Sequence, residues 1–137
     1  MYNDIRSSLV HQKYALELVN VYLQSQYNWM RVGDAVRVSR LESSIRRLIT
    51  DVYESRVELK RLLGGRTVRD AVSGEPTELR EPVLALAQRI EEAEQACLED
   101  ARRNSDLAEF MAEEDLRRIS AAYGFVHPEN TVAQRVQ

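Results

Sequence analysis

Residues 78–123 read ELREPVLALAQRIEEAEQACLEDARRNSDLAEFMAEEDLRRISAAY, and the helical period of this stretch decides the fold. Leu79, Val83, Leu86, Ile90, Ala93, Cys97, Ala101, Asn104, Ala108, Met111 or Ala112, Leu116, Ile119 and Tyr123 recur in steps of three and four. Such spacing is the seam of a helix packed lengthwise on others. An extra four-residue step near its middle is a stutter, which locally relaxes a left-handed supercoil. The helix starts near Thr77, or near Glu81 if Pro82 is to sit in the first turn.

Two earlier stretches show the same period. Ile5, Leu9, Gln12, Leu16, Val19, Leu23, Gln26 and Met30 form one seam. Val10, Tyr14, Leu18 and Val21 add a second apolar row, so this first helix is expected to be covered from more than one side. Val38, Leu41, Ile45, Leu48, Val52, Ser55, Leu59 and Leu62 form the second seam, on a helix from near Asp34 to Leu63. Between them, Gly33 suits a left-handed C-terminal position and Asp34 a cap, which predicts a reversal. The competing reading is one unbroken helix with Gly33 inside it, at a cost of about 1 kcal/mol.

Gly64, Gly65, Gly74, Pro76 and Pro82 punctuate a loop over residues 64–82. Within it, Thr67–Val72 has the makings of one short turn, Thr67 capping and Asp70 answering three residues later. The expected fold is all-α: an antiparallel three-helix coiled-coil bundle with a long third helix. Residues 1–123 form its single domain and residues 124–137 a flexible C-terminal tail. At 137 residues one core is the natural size.

Charge and chemistry narrow the function. Residues 31–69 carry ten Arg/Lys against five Asp/Glu, whereas residues 70–137 carry seven against fifteen. A basic helix beside an acidic one accounts for this, and the interleaving of Arg46, Arg47, Arg56 and Arg61 with Asp51, Glu54 and Glu58 argues against nucleic acid. No membrane span is expected, and Tyr2, Asn3 and Asp4 after Met1 are unlike an export leader, so the location predicted is cytoplasmic. His11 and His127 are the only histidines, and no HExxH, CxxC, P-loop or GxSxG pattern occurs. Cys97, the single cysteine, reads as a small buried hydrophobe on the seam. No catalytic residue, metal ligand or cofactor is expected, and the chain is not read as an enzyme.

Length supplies the candidate site. Helices of about 30 residues span roughly 45 Å, while 43 residues of the third span roughly 64 Å. Two or three turns overhang, carrying Leu107, Phe110, Met111, Leu116, Ile119 and Tyr123, with Phe125 beyond Gly124. Uncovered apolar surface marks a partner site. The alternative is that these residues pack under the tail or against a second copy.

The segment Val32-Gly33-Asp34, followed by Leu41, Ile45, Leu48, Val52 and Arg56, resembles the helical hairpin of FlgN-type flagellar type III export chaperones. Asn104 and Leu107 in the third helix, and Tyr123-Gly124 at its end, are similar too. The chain departs from that pattern where Ser44 and Arg46 or Arg47 stand near the place of a family lysine, where Gln26 or Asn28 replaces an acid before the turn, and where Phe125 to Pro128 lack a second glycine. The resemblance implies a chaperone that captures the C-terminal helices of the hook-filament junction proteins FlgK and FlgL and delivers them to the export gate protein FlhA. It also implies that Tyr123 serves in gate docking. A homodimeric coiled-coil adaptor and a FliT-like secretion chaperone are the alternatives.

Overall fold

A computed structural model describes residues 1–123, the last of them by backbone alone. Four helices follow in order: α1 (Tyr2–Arg31), α2 (Ala35–Leu63), the single turn α3 (Val68–Ala71) and α4 (Thr77–Tyr123). Among the described residues there is no strand, and no helix is long and apolar enough to cross a membrane. The tail expected over residues 124–137 lies outside the described part.

The punctuation acts as the chemistry of each residue requires. Gly33 takes φ +77°, a left-handed value that side chains resist, so α1 stops and the unbroken-helix reading fails. The Asp34 carboxylate then accepts from the Arg37 N–H at 3.1 Å, capping α2. Gly64, at φ +59°, closes α2 by donating its N–H to the Lys60 carbonyl. Thr67 Oγ1 accepts from the Asp70 N–H at 3.1 Å and so caps α3 as its spacing predicts.

One boundary differs. α4 begins at Thr77 and takes Pro82 inside it, so the connection from α2 is residues 64–76 rather than 64–82. The Pro76 carbonyl accepts from the N–H groups of Leu79 and Arg80, fixing the first turn ahead of the proline. Pro82 therefore costs the second turn one backbone bond without stopping a helix already started.

The three long helices pack together with α1 in the middle: α2 and α4 both lie against it and make few direct contacts with each other. Along α1 and α2 the polar contacts run in opposite order, Ser8 meeting Ser55 and the Gln26 amide the Val38 carbonyl. Along α1 and α4 they run in the same order, Tyr2 with Leu79, Leu16 with Cys97 and Leu23 with Asn104. Burial on the outer helices strides by seven: Ile45, Val52 and Leu59 on α2, then Val83, Ile90, Cys97 and Asn104 on α4. Each row faces α1, the outcome when one helix serves two partners.

Two expectations change here. Ala101 and Ala108, read as seam, are exposed, because α2 does not close over that side of α4. The second row of α1 is mostly exposed as well: α1 is covered from two sides, by α2 and α4, but only Val10 of that row is half-buried, while Tyr14, Leu18 and Val21 stay exposed. The α3 end is the densest part, where Val72 and Val83 are fully buried and Ile5 nearly so.

Candidate functional site

Between α2 and α4, which make few contacts with each other, α1 forms the floor of a groove. Leu16, Val19 and Leu23 of α1 lie at its base, Ile49 and Tyr53 of α2 make one wall, and Leu98 and Ala101 of α4 make the other. Ile49, Tyr53 and Leu98 are 51%, 68% and 60% exposed although each is apolar or aromatic and neighbours the core. The cavity measures about 350 Å³. A second cavity, about 390 Å³, continues it toward the α1–α2 turn and shares Leu23, Ile45 and Ala101 with the first.

An ion pair closes one end. The Arg56 guanidinium donates to both Glu94 carboxylate oxygens, at 3.0 and 3.1 Å, and links α2 to α4. This hydrogen-bonded pairing holds the Glu94 carboxyl below its ordinary range, against a weaker opposite pull from burial. Past that bridge the helices are held to α1 separately: the Arg37 guanidinium stacks on Trp29 and that of Arg103 on Tyr27, each 4.0 Å from the ring centre.

Cys97 sits on the groove floor, buried, its thiol donating to the Leu16 carbonyl at 3.3 Å. Burial, and then the charges of Asp100 and Glu94, push the thiol up to about 11, so it stays protonated at neutral pH. Among the described residues no three His, Cys, Asp or Glu side chains converge to hold a metal ion.

The overhang continues this surface. Contacts between α1 and α4 keep an offset of 81 residues at Leu16 and Leu23, which sets Arg31 opposite Ala112. Beyond Ala112, α4 has neither α1 nor α2 beside it. Leu98, Ala101, Ser105, Ala108, Ala112, Leu116 and Ile119 follow one another by three or four residues, so the groove wall and the overhang form one stripe. Leu116 and Ile119 are exposed on it. At about 100° per residue, Phe110 stands about 120° from Leu116 and about 180° from Ile119. Phe110, though 58% exposed, therefore belongs to another face. Leu107 and Met111 are half-buried and turn toward α1. The Tyr123 side chain and Phe125 lie outside the described residues.

The groove residues Ile49, Tyr53 and Leu98 escape a search for seams because they stand off them. Their signal was there: Ile49 and Tyr53 are four apart on one side of the α2 seam, and Leu98 follows Cys97 directly. No protein-family model, curated protein or solved structure matches the chain.

Proposed function

We propose that this protein is a binding protein rather than an enzyme, an antiparallel three-helix coiled coil that receives an amphipathic helix from a partner in the α2–α4 groove. The observation that carries the reading is the separation of α2 and α4 over an apolar floor. A fourth helix laid there, with apolar residues at i, i+3, i+4 and i+7, covers Ile49, Tyr53 and Leu98 and completes a four-helix bundle. The Arg56–Glu94 bridge stops it at one end, and Leu116 and Ile119 extend the contact at the other.

In its specific form the reading is a cytosolic export chaperone for the C-terminal helices of FlgK and FlgL, handed on to FlhA. The GD turn at Gly33-Asp34, Arg56 and the long last helix support it. Calorimetric titration of the full chain with each of those C-terminal helices tests it. A saturable one-to-one complex is expected. No heat with either helix, while the protein remains folded, contradicts the flagellar assignment. The homodimeric adaptor is the second reading, favoured by the bare row Tyr14, Leu18 and Val21, and predicts a dimer by sedimentation at all accessible concentrations.

A further inference from the structure

One buried side-chain atom among the described residues has no hydrogen-bond partner: Oδ1 of Asn104, a residue lining the second cavity of the groove. Asn104 is 6% exposed. Its Nδ2 donates to the Leu23 carbonyl at 2.8 Å and to Gln26 Oε1 at 3.1 Å, while Gln26 donates through Nε2 to the Val38 carbonyl at 3.3 Å. This chain joins α4 to α1 and α1 to α2, and its direction is set by backbone carbonyls, which only accept. Turning the Asn104 amide over sets oxygen against the Leu23 carbonyl oxygen. The bare acceptor is thus built into the network, and a buried acceptor without a donor carries an uncompensated desolvation cost.

We infer that the helix received by this groove carries one hydrogen-bond donor within its apolar face and takes its register by donating to Asn104 Oδ1. The inference rests on the proposed function above and adds the specificity element to it. A Ser, Thr, Asn or Gln at one apolar-face position supplies the donor; a Leu there leaves the acceptor bare, which a site built around a buried polar atom rejects. Oδ1 is closed to water, so side chains lining the same cavity shift as the donor enters.

The occupant is a helix of another protein. The groove is concave along its length, and the same face of a second copy offers no ridge to fill it. On the α2 rim Arg46 is paired with Glu42 and Arg56 with Glu94, whereas α4 exposes Glu91 and Glu109, with Arg102 between them, beside the groove. A helix with bases along the flank that meets α4 complements that rim.

A display library of amphipathic heptad helices, flanked in that way and with Leu, Ile, Val, Ala, Ser, Thr, Asn or Gln at the apolar positions, is selected on the full chain. Clones are kept when their binding is lost on Ile49→Arg. The selected helices are expected to share a donor at one apolar position, and replacing it by Leu weakens binding by about tenfold. On Asn104→Leu that ratio falls to about one. Selected helices with uninterrupted apolar faces, or a tenfold ratio that survives Asn104→Leu, overturn the inference and leave the groove reading standing. No clone sensitive to Ile49→Arg, or an Ile49→Arg-sensitive dimer in sedimentation, overturns both. Should Asn104→Leu fail to fold, the selection on the unaltered chain still decides.

Discussion

At the α3 end, Ile5, Leu59, Val72 and Val83 bury one another, and α3 lies on α4 as a lid on the core. At the Gly33 end, the same three helices leave Ile49 and Leu98 open, bury the amide of Asn104 and let α4 run on past α1. Helix type and heptad spacing are the same at both ends. What differs is that α3 packs on α4 at one end, while at the other the described residues place no further element over the groove.

If the contrast is sound, substitutions at the two ends separate stability from binding. Ile5→Ala at the closed end is expected to cost about 2–5 kcal/mol in denaturant unfolding, the range for truncating a fully buried aliphatic side chain. Ile49→Arg in the groove leaves that midpoint nearly in place but weakens partner-helix binding by about 2 kcal/mol or more, measured by titration. Equal losses of stability from the two changes break the comparison.

Cys97, on the groove floor, offers a pH readout. Burial, and then the charges of Asp100 and Glu94, push its folded thiol up to about 11, above the ordinary value of 9.0. The unfolded chain therefore releases this proton first. Stability is intact below pH 9.0 and declines as pH rises toward 11, and Cys97→Ala removes that part of the decline in thermal melts. Gly33→Ala forces a side chain into the left-handed region at φ +77° and is expected to cost about 1 kcal/mol, frayed at the open end by hydrogen exchange. Arg56→Met breaks an ion pair whose side chains are 40% and 41% exposed. It is expected to cost less than about 1 kcal/mol while letting a longer helix enter the groove.

The helices, the reversal at Gly33, the caps at Asp34 and Thr67 and the stop at Gly64 were all legible, because each rests on bonds within a few residues. Pro82 misled the loop boundary, since a helix already started at Thr77 carries it at the cost of one backbone bond. The site was legible in part. The length of α4 announced an overhang, and Leu116 and Ile119 are on its open stripe. Periodicity records which residues share a face, but not whether two neighbours of one helix also meet. Ile49, Tyr53 and Leu98 became visible only with the separation of α2 from α4. Phe110 shows the same limit, being apolar and exposed on a face apart from the groove.

Photo-crosslinking tests the groove most directly. A benzophenone side chain is placed in turn at Tyr53, Ile119, Tyr14 and Phe110, all exposed, and the full chain is irradiated with its bound helix. Adducts from Tyr53 and Ile119, with little from Tyr14 and Phe110, are the predicted result. Adducts from Tyr14 or Phe110 while Tyr53 stays silent contradict it and move the binding surface to the back of α1 or the far face of α4.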